Sequence, residues 1–172
     1  MRLTNNPIFN RYSVRDFSNK EIEKEKIDKI LEAAMQAPSA NNQNIWEFLV
    51  ITEKNSKYKI SKMSNYSRAA YNASIVLIIL ANTNLLTKNN TKWWPLDMAA
   101  CTENILLQCT YEDLGAVWLG IYPKTDRVSY IQEIFNLPKE IIPFSAVALG
   151  YEVKKISATK KFKPERIHYN IY

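Results

Sequence analysis

The chain has 172 residues, 47% of them apolar, and a formal net charge of +6. This length allows one domain with an ordinary core, and the apolar content excludes intrinsic disorder. The longest strongly apolar run, IVLIILA at 75–81, is too short to cross a bilayer, and no continuous apolar signal segment is visible at the N-terminus. We therefore expect a single cytoplasmic domain over residues 1–172 that does not bind a membrane.

The hydrophobic pattern predicts four helices alternating with four strands. The helix 23–37 is amphipathic and stops before Pro38, whereas the strand 73–81 is apolar on both faces, which is typical of a central position in a sheet. The predicted helices cover 23–37, 56–64, 95–114 and 127–135, and the predicted strands cover 47–53, 73–81, 116–122 and 144–152. We expect one sheet covered by helices, an α+β sandwich.

Three single residues predict helix boundaries. Pro95 fits the first turn of the long third helix, because proline is favoured there, and Gly115 is expected to close that helix. Asp126 is expected to cap the fourth helix. Cys101 and Cys109 lie eight residues apart on the long helix, about 12 Å, so we expect two buried thiols and no disulfide.

Several common active sites are missing from the sequence. His168 is the only histidine, and no G-x-S-x-G, C-x-x-C or H-E-x-x-H motif is present, which argues against a serine triad and a metal site. With Gly115, Gly120 and Gly150 as the only glycines, a glycine-rich phosphate loop cannot be built. An enzyme of this sequence must hold phosphate with side chains, or rely on a cofactor for its chemistry.

The positive charge has several interpretations. It is compatible with nucleic acid, an anionic membrane or an anionic small molecule as ligand, and it also serves solubility. The densest basic stretch, KKISATKKFK at 154–163, is interrupted by apolar residues. A solvated arm therefore explains it better than a nucleic-acid groove, and no nucleic-acid-binding motif is present.

Three stretches contain candidate ligand-binding groups. Extended NRYSVRDF at 10–17 would point Arg11, Ser13 and Arg15 to one side, as donors for a phosphate or another anion. APSANNQNIWEF at 37–48 offers amides that suit the edge of a heterocycle. In GAVWLGIYP at 115–123, Gly120 permits close approach of the backbone to a ligand. Each stretch alone is also compatible with a surface pair of arginines, an ordinary loop or a packing glycine.

Taken in order, these stretches resemble the nitroreductase family of flavin-dependent oxidoreductases. They are similar to its R-x-S-x-R-x-F, A-P-S-A-x-N-x-Q-P-W-x-F and G-L-G-x-x-W-x-G-x-x-P motifs. Farther on, LPKEIIPFSAVALGY and the terminal KFKPERIHYNIY resemble two further motifs of its short members. The resemblance implies a three-layer α-β-α sandwich around a central sheet, in an intertwined homodimer that binds FMN at its interface.

The resemblance implies residue roles on the phosphate side of the flavin. Arg11 and Ser13 would hold the FMN phosphate and the adjoining ribityl chain. Arg15 would lie toward the pyrimidine edge, where a cation favours the reduced flavin. A basic residue of the tail would complete the phosphate site. Lys161 aligns best with the family's arginine, and Lys160 is the alternative.

Around the flavin ring the resemblance implies contributions from both subunits. Pro38, Ser39 and Asn42 would reach the ring from the partner, and the backbone N–H groups of Leu119 and Gly120 would face N5 and O4. Asn44 replaces the family's glutamine, so no flavin contact is assigned to it. No residue is expected to act as a general acid or base.

The implied reaction is hydride transfer from NAD(P)H through FMN to a small acceptor such as a nitroaromatic or a quinone. One alternative is another reaction on the same fold and flavin, namely dehalogenation, flavin fragmentation or dehydrogenation. A second is a flavin carrier without turnover or a basic nucleic-acid-binding module.

Overall fold

The structure is a computed structural model that describes residues 6–87, 92–156 and 158–172. In chain order its α-helices and strands are α1 (Pro7–Asn10), α2 (Lys24–Met35), β1 (Trp46–Ile51), α3 (Lys54–Ser61), α4 (Ala69–Asn72), β2 (Ile75–Asn82), α5 (Trp94–Tyr111), β3 (Gly115–Gly120), α6 (Thr125–Ile134) and β4 (Ile141–Gly150). Short 3-10 turns cover Ala40–Asn42, Thr83–Leu85 and Pro164–Arg166. The four predicted helices and four predicted strands are confirmed, with bounds shifted by a few residues.

The four strands form one antiparallel sheet in the order β1-β2-β4-β3. β2 alternates between two cores, which explains why its sequence is apolar on both faces. Ile75, Leu77 and Ile79 pack on one side with residues of α2 and α5. Val76 and Ile78 pack on the other side with residues of α3, α4 and α6. The sheet is therefore the middle layer of a three-layer α-β-α sandwich, and the predicted α+β class is confirmed.

Two predicted helix boundaries are wrong. α5 ends at Tyr111, and Asp113 makes the reversal with φ 64°, so Gly115 starts β3 instead of closing the helix. Aspartate tolerates this left-handed conformation better than most residues, because its short side chain bonds locally. α6 begins at Thr125 with its N-cap at Lys124, so Asp126 lies within the first turn and is not the cap.

Pro95 does occupy the first turn of α5, as predicted. Cys101 and Cys109 are free thiols, both fully buried. In the part of the chain that the structure describes, none of the helices combines the length and apolarity that crossing a bilayer requires.

Candidate functional site

The N-terminal segment runs alongside β3 and presents two of its three candidate donors. Val14 is buried and its N–H donates to the carbonyl of Ala116 at 3.0 Å, which fixes Ser13 and Arg15 on the exposed side. Arg15 Nη1 lies 3.5 Å from the Ser13 carbonyl. Arg11 is half-buried, and its Nε lies 3.6 Å from Oε1 of Glu103.

A cleft of about 340 Å³ opens where β3 ends. Arg15, Leu119 and Gly120, three of the predicted cofactor-binding residues, line it together. Gly120 is the last residue of β3 and is exposed, so a ligand can approach its backbone.

Two further arginines line the same cleft. Arg68 comes from the residue before α4, and Arg127 from the first turn of α6. Arg127 Nη1 donates to the Gly120 carbonyl at 2.6 Å. No carboxylate lines the cleft, and none of the described carboxylates forms an ion pair with Arg15, Arg68 or Arg127. The cleft is therefore strongly cationic, which suits an electron-rich or anionic ligand.

Neither Arg68 nor Arg127 has a role predicted from the sequence. A usable signal existed for Arg127, because side chains in a first helical turn point back toward the preceding segment. An arginine there can reach the end of the strand before it. Arg68 is the nearest candidate for a lysine that larger members of the resembled family place before the second strand, but this match assigns it no role. Only the tertiary fold brings the start of α4 to β3.

The amide-rich loop before β1 is held in a defined shape. Ser39 Oγ donates to Asn44 Oδ1 at 2.8 Å and accepts from the Asn44 N–H at 3.1 Å. Asn44 Nδ2 donates to Asn42 Oδ1 at 3.1 Å. Asn41, Asn42 and Asn44 all have positive φ, which asparagine tolerates. Pro38 and Asn42 are exposed, whereas Ser39 is half-buried.

Asp97 of α5 accepts two hydrogen bonds from this loop and connects it to the helix. Its carboxylate is buried and accepts from the Ala40 N–H at 3.0 Å and from Gln43 Nε2 at 2.8 Å. Gln43 Oε1 is buried without a hydrogen-bond partner among the described residues.

Within one chain the amide loop and the cationic cleft lie at opposite edges of the sheet. Gly120 pairs with Ser145, Ser145 with Ile79 and Ile79 with Phe48, so β1 is three strand spacings from β3. At about 4.8 Å per spacing that separation is about 14 Å. The structure therefore does not bring Pro38, Ser39 and Asn42 together with Gly120 in one chain.

The C-terminal arm is the segment of residues 158–172, and every residue from 159 onward is exposed. Lys160 and Lys161 form no hydrogen bond or ion pair with any described residue. Large apolar side chains on the arm are exposed as well, including Phe162 at 78% and Tyr169 at 81%. Among the described residues, these exposed side chains of the arm have no packing partner that buries them.

The buried thiols and the only histidine do not contribute to the cleft. Burial raises the pKa of Cys101 and of Cys109 to about 12, so neither is a thiolate near neutral pH. His168 lies on the exposed arm, with its ring 4.4 Å from that of Tyr172.

Comparison with known proteins identifies relatives of the chain. The model of the Nitroreductase family matches residues 8–70 and 63–151. A protein of Archaeoglobus fulgidus, provisionally named NADH dehydrogenase/NAD(P)H nitroreductase, is 38% identical over 164 residues, covering 94% of each chain. A Clostridium acetobutylicum structure, provisionally named NADH oxidase, is 42% identical with TM-score 0.93 and covers 97% of this chain and all of its own.

An FMN-dependent nitroreductase of Clostridium difficile is 26% identical, with a TM-score of 0.88 over 98% of this chain and all of its own. The match of the family model over most of the residues, together with two relatives well above 30% identity, leads to one assignment. The chain belongs to the Nitroreductase family.

Proposed function

We propose that this protein is an FMN-dependent oxidoreductase that passes hydride from NAD(P)H to a small acceptor such as a nitroaromatic or a quinone. The observation that carries the proposal is the cationic cleft, in which three guanidiniums and no carboxylate surround the exposed end of β3 at Gly120. Family membership adds support, since relatives are named NAD(P)H nitroreductase and FMN-dependent nitroreductase.

The donor set of the described residues fits FMN. A flavin mononucleotide has a dianionic phosphate and a ring whose pyrimidine edge becomes negative on reduction. Arginines can satisfy both, because a guanidinium forms paired charge-assisted hydrogen bonds with oxygen acceptors. The absence of a competing carboxylate from the cleft leaves Arg15 and Arg68 able to interact with such a ligand.

Each residue then has a defined task in holding the cofactor. Arg11 and Ser13 bind the phosphate and the adjoining ribityl chain. Arg15, joined by Arg68, lies at the pyrimidine edge and stabilises negative charge there. The backbone of Leu119 and Gly120 orients the ring. The chemistry that FMN supplies when bound is hydride acceptance from NAD(P)H and hydride donation to the acceptor.

Two copies of the chain complete the site in this proposal. The separation of about 14 Å between β1 and β3 keeps the amide loop of one chain away from its own cleft. We propose an intertwined homodimer in which Pro38, Ser39 and Asn42 of one chain meet the cleft of the other. The C-terminal arm of the partner adds Lys161, or Lys160, at the phosphate, and its exposed apolar side chains pack on the second copy.

We further propose that residues 1–172 act as one FMN-binding domain in the cytoplasm. The two free buried thiols suit such a reducing compartment.

The decisive experiment is an absorbance spectrum of the purified protein before and after anaerobic addition of NADH or NADPH. We expect bound flavin at one FMN per chain, loss of the visible flavin absorbance on reduction, and a dimeric mass in solution. A matched pair of variants locates the cofactor: Arg15→Gln should weaken FMN binding at least tenfold. Lys139→Gln, which removes an exposed charge in a turn outside the cleft, should leave it unchanged.

A colourless protein that gains no colour with added FMN and never oxidises NADH or NADPH would contradict the proposal. An acceptor screen on the reduced protein then separates nitro and quinone reduction from dehalogenation or dehydrogenation by the same flavin.

A further inference from the structure

Arg127 is the one guanidinium of the cleft for which cofactor binding gives no role. It donates through Nη1 to the Gly120 carbonyl at 2.6 Å, and it is half-buried in the first turn of α6. A guanidinium has five N–H donors, and the described residues accept only one from Arg127. Its remaining donors are therefore able to bind a ligand.

The hydrogen bond to Gly120 fixes where that charge lies. It ties Arg127 to the end of β3, whose Leu119–Gly120 backbone the proposed function assigns to orienting the reactive end of the flavin. Arg15 and Arg68 line the same cleft and lie at the pyrimidine edge in that proposal. Arg127 thus provides a separate cation beside the place where an acceptor must approach.

The surroundings leave this cation unneutralised. Serines, asparagines and Tyr66 complete the polar part of the cleft, but none of the described aspartates or glutamates lines it. A half-buried guanidinium without a counter-ion favours an anionic ligand group, since each charge-assisted hydrogen bond to such a group is stronger than a neutral one.

We propose that Arg127 is a specificity-determining residue that selects acceptors carrying a negative charge, in particular aromatic carboxylates. The proposal rests on the proposed function, because it places the acceptor at the Gly120 end of the cleft. A nitro or quinone acceptor with a carboxylate would bind Arg127 through that carboxylate, while its reducible group lies toward the flavin.

The test uses the flavin-loaded dimer and two acceptors of nearly the same shape, 4-nitrobenzoate (anionic) and 4-nitrobenzamide (neutral). Calorimetry on the oxidised protein without NADH gives dissociation constants in the absence of turnover, and steady-state assays give kcat/KM. Wild type should prefer 4-nitrobenzoate about tenfold or more in both measurements. The preference should decline as ionic strength rises.

Variants then assign the preference to Arg127. Arg127→Gln should weaken the binding of 4-nitrobenzoate, and lower its kcat/KM, about tenfold or more. For 4-nitrobenzamide both changes should be less than about threefold. Arg127→Lys keeps a point charge and should restore part of the preference. Lys139→Gln removes the same net charge away from the cleft and should leave the preference intact.

Equal dissociation constants for the two acceptors in wild type would overturn the inference without any variant. Equal losses for both acceptors in Arg127→Gln would also overturn it, since Arg127 would then act only on the Gly120 backbone. If wild type is reduced by NADH or NADPH but shows no charge preference, this inference fails while the proposed function stands. If no flavin is bound or reduced, the proposed function itself fails.

Discussion

Gln43 donates its side-chain amide to the buried carboxylate of Asp97 at 2.8 Å, and this contact joins the amide loop to α5. The same carboxylate accepts from the Ala40 N–H at 3.0 Å, so one acidic side chain determines the shape of a loop that lies 54 to 57 residues away in sequence. The side chains of Ser39, Asn42 and Asn44 bond within the loop itself, so among the described residues they add no hydrogen bond that ties the loop to the rest of the fold.

Asp97→Ala should lower the free energy of unfolding by roughly 2–3 kcal/mol, because it leaves two donors without an acceptor in a partly buried position. Asp97→Asn should lower the free energy of unfolding by about 1 kcal/mol or less. Its amide oxygen can accept from the Ala40 N–H, and its NH₂ can donate to Gln43 Oε1 if the Gln43 amide turns over, because in wild type Nε2 faces Asp97 and Oε1 has no partner among the described residues. Urea unfolding of both variants tests the difference. Equal losses would show that the charge of Asp97, and not its hydrogen bonds, holds the loop.

Adding a methyl group should change the free energy of unfolding differently at the two glycines that begin and end β3. A Cβ at Gly115 would lie 2.6 Å from Glu152 Cγ and 2.8 Å from Val14 Cβ, closer than packed atoms allow. Gly115→Ala should therefore lower the free energy of unfolding by about 1–3 kcal/mol. A Cβ at Gly120 would meet only Arg127 Nη1, at 3.9 Å.

Gly120→Ala should consequently leave the free energy of unfolding within about 1 kcal/mol of wild type and weaken FMN binding, since the methyl group enters the cleft. Thermal unfolding of the protein freed of flavin, with a fluorescence titration of FMN, measures both effects. A Gly120→Ala protein that binds FMN with unchanged affinity would contradict the close approach of a ligand to this strand end.

Much of the fold was predictable because its signals are local. β2 alternates between two apolar cores, so both of its faces are apolar, and Pro95 marks the start of α5 directly. The end of α5 was not predictable in the same way. Asp113 adopts the left-handed turn expected of Gly115, and Gly115 is required instead by the close approach of Val14 and Glu152. Whether glycine is required at a position such as 115 depends on which segments pack against it in the tertiary fold, and local sequence does not show this.

The candidate site shows the same division. The sequence predicted Arg15, Leu119 and Gly120 as cofactor-binding groups of one site. All three line the cleft, and their contact with a cofactor stays a prediction. No role was assigned to Arg68, the nearest candidate for a family lysine, and Arg127 was missed. The proximity of both arginines to the strand end depends on where α4 and α6 pack. The roles assigned to Lys160 and Lys161 stay predictions, because the shared site proposed for them needs a second copy and the structure contains one chain.

The contact between Tyr151 and Glu23 should make the stability of the protein depend on pH in the acid range. Tyr151 Oη donates to Glu23 Oε2 at 2.6 Å, and this bond, with Lys20 nearby, lowers the pKa of Glu23 from 4.5 to about 2. The lowered pKa means that the folded state favours the carboxylate, so the contribution is present above pH 4.5 and is lost as the pH falls toward 2.

Tyr151→Phe should therefore lower the melting temperature at neutral pH, and its difference from wild type should shrink between pH 4.5 and pH 2. Tyr111→Phe is the matched control, since that hydroxyl is on an exposed side chain and forms no hydrogen bond with a described residue. A difference between Tyr151→Phe and wild type that stays constant down to pH 2 would rule out the carboxylate as its source.

The hydroxyl of Tyr12 links the N-terminal segment of residues 10–17 to the base of the C-terminal arm. It donates to Glu152 and accepts from the Ile156 N–H at 3.0 Å, and Tyr12 itself lies between Arg11 and Ser13 in the chain. Tyr12→Phe should lower the free energy of unfolding by about 1–2 kcal/mol, because the part-buried hydrogen bond to Glu152 and the hydrogen bond from the Ile156 N–H are both lost. It should also weaken FMN binding, since the direction in which the arm leaves the domain is less fixed.

The pH dependence identifies the bond. Burial, followed by the hydrogen bond to Glu152, raises the pKa of Tyr12 above 10.0. A raised pKa in the folded state favours the neutral phenol, so its contribution is complete below pH 10 and is lost as the pH rises through the folded-state value. Urea unfolding at pH 8 and pH 11 should show wild type losing its advantage over Tyr12→Phe at the higher pH. The Tyr111→Phe control should keep a constant difference from wild type. An equal gap between Tyr12→Phe and wild type at both pH values would mean that the ring of Tyr12, and not its hydroxyl, stabilises the base of the arm.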